Sequence, residues 1–202
     1  MSAKEKKMKR QALSIKVYAV FFLLIPIILG SCEEENLPEV EITKGLFPMH
    51  VGDFWKYGVL PETTIEDSVF IDNQQYFQFS TDNRIIEYFR KEDDKIYRLR
   101  PGDQENEVLY YDFTRPEGDS WQFRTRDDQP AWTVTLLSKT ETFRKGDLVI
   151  ENCHVFYFDM AGVIDEESTH WLAPGLGLVR RIGQIGVIDV TEAKVDGTEF
   201  SF

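Results

Sequence analysis

The sequence predicts an all-β protein, an antiparallel meander of about a dozen short strands closed as a barrel or folded as two packed sheets. Three observations predict it. From Phe47 onward apolar and polar residues alternate with period two, and aromatic and β-branched residues are enriched. Turn-forming pairs interrupt the alternation at short intervals. After residue 36 no stretch sustains an apolar stripe at i, i+3, i+4, so the crossover helices that a parallel sheet needs are missing.

Taken in order, the first strands are DFWKYGV, TTIEDSVFI, QQYFQFS, IIEYFR, KIYRLR and VLYYDF. Asp72-Asn73, Asp82-Asn83, Asp93-Asp94 and Pro101-Gly102 separate them, and each pair favours a tight reversal. The second series is SWQFRTR, AWTVTLLSKTETFR, LVIENCHVFYFDM, THWLA, GLVRRIG and GVIDVTEAKV, punctuated by Lys145-Gly146-Asp147 and Pro174-Gly175. Several strands carry aromatics on both faces: Phe54 with Trp55, Tyr88 with Phe89, Tyr110 with Tyr111. Both faces cannot be left in water. Either two layers cover them, or a concave sheet presents them to a ligand such as a sugar ring or an acyl chain.

The two series also resemble each other. Gly52-Asp53-Phe54-Trp55-Lys56-Tyr57 matches Gly118-Asp119-Ser120-Trp121-Gln122-Phe123. Tyr76 to Phe79 then aligns with Val155 to Phe158, Tyr88 with Trp171, and Ile96 with Val179. Two similar halves, 46–112 and 113–202, would make Trp55 and Trp121 equivalent core anchors and each Gly-Asp a turn rather than a phosphate loop.

The chain ahead of this domain has a different character. Lys4, Lys6, Lys7, Lys9, Arg10 and Lys16 stand against a single acid, Glu5, and VYAVFFLLIPIILG follows with no charge. This is the order of a secretory signal. Its 14 apolar residues would reach roughly 21 Å as a helix, short of the ~30 Å hydrocarbon core. Pro26 weakens that helix further. Translation can begin at Met1 or at Met8, which leaves the mature chain unchanged.

Leu29-Gly30-Ser31-Cys32 resembles the lipobox of bacterial lipoproteins, whose leader is removed by a signal-peptidase-II-type enzyme. The resemblance implies that residues 1–31 are discarded and that Cys32 becomes the first mature residue, carrying lipid. A single acyl chain binds a membrane only marginally, so firm anchoring takes more than one. Palmitate is the expected acyl group. Residues 32–45 read as an acidic tether, with Glu33, Glu34, Glu35, Glu39 and Glu41 around Pro38. An acidic run after a lipidated cysteine also resembles the surface-export signal of some Gram-negative lipoproteins. The expected address is the outer membrane, on the cell surface or the periplasmic face.

Charge bears on partners. The leader holds six of the 23 basic residues and one of the 35 acidic residues, which leaves 17 against 34 and a mature net charge of −17. Such a surface repels nucleic acid and anionic head groups, so the lipid on Cys32 must hold the protein at the membrane. Cys153 is the remaining thiol of the mature chain and has no partner for an internal disulfide. Within ENCHVFYFD it reads as packed and inert.

The usual catalytic signatures are missing. There is no nucleophile elbow, P-loop, dinucleotide fingerprint, zinc spacing or EF-hand loop, so no catalytic residue, metal or cofactor is expected. His50, His154 and His170 stand apart in sequence, and Asp93-Asp94, Asp127-Asp128 and Asp165-Glu166-Glu167 read as solvated loop tips. Leu46 to Tyr57 and Trp171 to Arg180 resemble the opening and closing segments of uncharacterised secreted β-rich bacterial proteins, and Tyr111-Asp112-Phe113 with Gly118 to Trp121 fits their middle. That resemblance implies a β fold and export.

Three functions follow as expectations. The first is a lipid-anchored envelope lipoprotein whose β domain, 46–202, binds an unknown glycan, lipid or protein ligand or serves a structural role. The second is a carrier of lipid or another apolar ligand, similar to the half-barrel lipoprotein-sorting proteins but without their plugging helices. The third is a glycan-acting hydrolase, which requires two carboxylates across a cleft.

Overall fold

A computed structural model describes residues 45–202. Leu29, Gly30, Ser31 and Cys32, together with the leader and most of the tether, lie outside the described residues. The described chain falls within one compact unit, Ile42–Phe202. It contains both sheets and a continuous hydrophobic core, so it is a folding unit in its own right.

The fold is all-β, with fourteen antiparallel strands in two sheets. The first series supplies β1 (Phe54–Lys56), β2 (Thr63–Ile71), β3 (Gln74–Thr81), β4 (Arg84–Glu92), β5 (Lys95–Arg100) and β6 (Asp103–Asp112). The second supplies β7 (Ser120–Phe123), β8 (Trp132–Lys145), β9 (Leu148–Met160), β10 (Ser168–Ala173), β11 (Gly177–Gly183) and β12 (Gly186–Asp189). A final hairpin, β13 (Glu192–Val195) and β14 (Thr198–Ser201), returns to the first sheet. The orders are β14-β13-β1-β2-β3-β4-β5-β6 and β12-β11-β10-β9-β8-β7.

Local chemistry accounts for the meander. The links after β2 and β3 are two residues long, and Asp72, Asn73, Asp82 and Asn83 all have φ between 49° and 64°. Asn and Asp tolerate that left-handed backbone, which matches the twist of a two-residue hairpin. The ladders carry several register shifts, three of them in the long β8–β9 hairpin. Such bulges increase local twist and bend a strand.

Of the two closures left open by the sequence, the packed pair is the one formed. The sheets stay open, with β14 and β6 at the edges of one and β12 and β7 at the edges of the other. Their inner faces share one core. Tyr111 meets Phe156 with ring centroids 5.0 Å apart, and Tyr110 meets Phe158 at 5.1 Å. Two tryptophans tie the layers reciprocally. The Trp55 indole N–H donates to the Leu176 carbonyl at 2.6 Å, and that of Trp121 donates to the Leu109 carbonyl at 2.9 Å.

GVIDVTEAKV differs from its reading as one strand. It divides at Val190-Thr191, where the chain leaves β12 in one sheet and enters β13 in the other. Val190 N donates to Val179 O, while Thr191 N donates to Lys56 O, so neighbouring amides serve different sheets.

Candidate functional site

Strand register builds the site. On the inner face of the larger sheet Phe79 stands opposite Glu87, and Phe89 stands opposite Arg98, which in turn faces Val108. On the smaller sheet His170 stands opposite Arg181, and Arg181 opposite Ile188. Between these rows lies a cavity of about 400 Å³. Trp55, Phe79, Phe89, Tyr110 and Leu178 give it an apolar wall, and Phe47 and Pro48 cross it from the segment before β1. Phe47 is held by rings on three sides, 5.9 Å from Phe79, 5.3 Å from Phe89 and 5.7 Å from Tyr111. Leu60 and Ile86, 40% and 44% exposed, stand where the lining reaches solvent.

The Pro174-Gly175-Leu176-Gly177 turn shapes another part of the wall. Gly177 has φ +78°, and a Cβ there would lie 3.3 Å from the Pro48 ring. Leu176 O receives the Trp55 indole, and Leu178 O receives the Tyr57 hydroxyl at 2.9 Å. Burial raises the Tyr57 pKa, so that hydroxyl stays a donor.

The polar groups of the wall fall into two sets. His170 is fully enclosed and satisfied, with Nδ1 2.8 Å from the Tyr111 hydroxyl and Nε2 3.3 Å from Ser168 Oγ. Burial, helped by Arg181 and Arg98, pushes its pKa down to about 3. A neutral ring has one N–H and one bare nitrogen, so it accepts from one of these hydroxyls and donates to the other. Glu87 and Arg98 form the other set. Arg98 Nε and Glu87 Oε2 are 3.8 Å apart, too far to hydrogen-bond. Neither atom has any hydrogen-bond partner among the described residues. Only 9% of the Arg98 side chain is exposed, and its guanidinium lies 4.2 Å from the centre of the Tyr110 ring. Burial raises the Glu87 pKa, against the pull of Arg98 and Arg100.

A second buried polar cluster is closed. On β3, β4 and β6, Arg90 Nε and Nη2 donate to the two oxygens of Glu107 at 2.6 and 2.7 Å, and the Tyr76 hydroxyl also reaches Glu107. Arg90 Nη1 donates to Glu92 at 2.7 Å, and its guanidinium covers the Tyr97 ring at 4.1 Å. This cluster leaves no strong donor or acceptor for a ligand.

The residues singled out in the sequence are dispersed. His50 pairs with Asp53 at 3.1 Å before β1, His154 packs edge-on against Phe113, and His170 is the one that reaches the cavity. Among the described residues no group of three or more His, Cys, Asp or Glu is placed to hold a metal ion. Asp93-Asp94, Asp127-Asp128 and Asp165 to Glu167 are all exposed. Cys153 is wholly buried, burial raises its thiol pKa, and its Sγ lies 3.5 Å from Ile150 O. Glu87, Arg98 and Arg181 were not visible as a group. Their signal is alternation: Glu87 shares a strand face with Phe89, and Arg98 shares one with Ile96.

Comparison of the chain with protein-family models, with curated proteins and with solved structures gave no match. The functional reading therefore rests on the site.

Proposed function

We infer that the β domain binds an apolar small molecule between its two sheets, and that lipid on Cys32 holds it at the cell envelope. The cavity carries this reading. Protein interiors pack with few voids larger than a water molecule. A space of about 400 Å³ with aromatic walls is the size and character of a small-ligand site. Exposed Leu60 and Ile86 beside it offer an apolar ligand a path that is never fully wet. The hydrolase alternative has less support. Glu87 is the one carboxyl of the lining among the described residues, and glycoside hydrolysis by paired acids needs two.

Binding is checked with N-phenyl-1-naphthylamine, a neutral dye that fluoresces in apolar surroundings. The unit Ile42–Phe202 should bring up its emission with about one dye per chain, and Gly177→Phe, which fills the cavity from the turn, should abolish the response. Equal emission from both proteins would refute the reading. The anchor is a separate claim. Cys32→Ala should stop incorporation of labelled palmitate and leave the precursor uncut, and unchanged labelling would refute lipidation. Protease treatment of intact cells then separates surface from periplasmic display.

A further inference from the structure

We propose that the ligand of this cavity is an amphipathic anion, a monocarboxylate of fatty-acid type, whose head group is received by Arg98 and Arg181 while its apolar tail lies against Phe47, Phe79 and Phe89. The proposal rests on the cavity-binding reading above and adds the chemistry of the ligand's polar end.

Unmet valence is the first observation. Arg98 is nine-tenths buried in the cavity wall, yet its Nε has no hydrogen-bond partner among the described residues. A buried donor left unpaired is costly, the more so on a charged group. Natural proteins seldom retain one without a use. The other buried arginine cluster of this fold shows what closure looks like, since Arg90 spends three nitrogens on carboxylate oxygens. Arg98 has Tyr110 under its plane and Phe123 at 5.5 Å, which fix its direction without occupying its donors.

Charge is the second. The chain has a net charge of −12, and the described residues are more acidic than the leader. The cavity reverses that sign. Arg98 and Arg181 both line it, and Glu87 is the one acid among the lining residues. No ion pair forms at Arg181 among the described residues, and Glu87 approaches Arg98 only to 3.8 Å. Burial also favours the uncharged form of Glu87. A carboxylate entering this space would meet two guanidinium groups, which recognise its two oxygens in a planar fork. A protonated Glu87 would donate to the same head group. A ligand with no acceptor would leave the guanidinium unmatched, and a neutral acceptor would meet it without the charge that strengthens the bond.

Size and polarity of the wall are the third. The aromatic part of the lining suits a tail, and Arg98 on β5 and Arg181 on β11 supply positive charge to the same lining. Such a ligand is apolar for most of its length and charged at one end.

The test compares decanoate with decanol as competitors of bound N-phenyl-1-naphthylamine on the unit Ile42–Phe202 at pH 7.5. The two differ only at the head group. Decanoate should compete about ten-fold or more better than decanol, the size expected of charge-assisted hydrogen bonds. Arg98→Met should bring that ratio close to one, and Arg181→Met, at an exposed position that folding tolerates, should reduce it part of the way. If the dye binds and the two competitors are equal in the unaltered protein, the anion proposal is overturned and the cavity reading stands. If the ratio survives both substitutions, the arginines are not the receptor and the proposal is again overturned. If neither dye nor competitor binds, the cavity reading itself falls.

Discussion

The meanders β1–β6 and β7–β12 open alike and diverge in what they bury. Gly52 N donates to Ile65 O, Asp53 N to His50 O, and Ile65 N to Asp53 O. In the second meander Gly118 N donates to Leu136 O, Asp119 N to Pro116 O, and Leu136 N to Asp119 O. The same three bonds thus place Trp55 and Trp121, both under 9% exposed, each donating to a backbone carbonyl of the other meander. Both meanders also carry an arginine fork stacked on aromatics: Arg90 with Glu107 over Tyr97, and Arg180 with Asp189 over Phe143 and Trp171. Inside, they part. The second meander contributes His170, closed by Tyr111 and Ser168, while the first contributes Glu87 and Arg98, whose Oε2 and Nε have no hydrogen-bond partner among the described residues. Fully satisfied polar networks rigidify and specify a core.

The largest expected effect sets one tryptophan against the other. Trp121→Ala and Trp55→Ala should each cost about 3–5 kcal/mol in urea unfolding, the usual loss for a buried large aromatic. They should differ in binding. Trp55 lines the cavity and Trp121 does not, so dye affinity per folded molecule should fall for the first and hold for the second.

Next comes pH. The folded pKa of His170 is about 3 and that of half-buried His154 about 4, both below the ~6.5 of an unfolded histidine. Below pH 6.5 the unfolded chain takes up protons that the native state refuses. Stability is therefore complete above that pH and declines as pH falls toward 4. On these values His170 and His154 should each remove roughly 1.5 kcal/mol between pH 6.5 and 5, and they part only below that pH. The raised pKa of Glu87 acts in the opposite direction, since its native state binds a proton more readily than the unfolded chain. Urea midpoints at pH 7 and pH 5 measure the sum, and His170→Gln should flatten the decline.

The arginine forks compare the outer faces. Glu107→Ala should cost about 2 kcal/mol, because it strands an arginine side chain that is only 10% exposed. Asp189→Ala should cost about 1 kcal/mol, because Arg180 is 23% exposed and water can replace the carboxylate. Equal costs would erase the distinction between the two faces. The smallest effect is a null one: Cys153 should resist a thiol reagent in the native protein and react fully in urea.

Strands were legible because period two is local. The residues aligned from one series to the other, Tyr88 with Trp171 and Ile96 with Val179, do occupy the fourth and fifth strands of their respective meanders. What stayed hidden was non-local. Whether the sheets close depends on which edges meet, and β1 takes β13 as a neighbour across more than half of the chain. TEFS, the last strand, is four residues long and carries too little pattern to stand out. The cavity was hidden for a different reason. In EYFRK and KIYRLR charged residues interspersed among apolar ones look like parts of a solvated face, and only the facing sheet reveals that Glu87 and Arg98 line a wall of rings.

The insertion of β13 beside β1 also sets the timetable of biosynthesis. Trp55 lies opposite Ala193, so the third strand of the larger sheet cannot be flanked on both sides until the chain has been translated through β13. A chain cut short by a nonsense mutation or a stalled ribosome would carry the complete cavity wall of the first meander yet keep a bare edge at Phe54–Lys56. Such an edge is a template for pairing with another chain. The β13–β14 hairpin thus acts as the proofreading step of this molecule: only a chain that extends through it can hide its own adhesive strand.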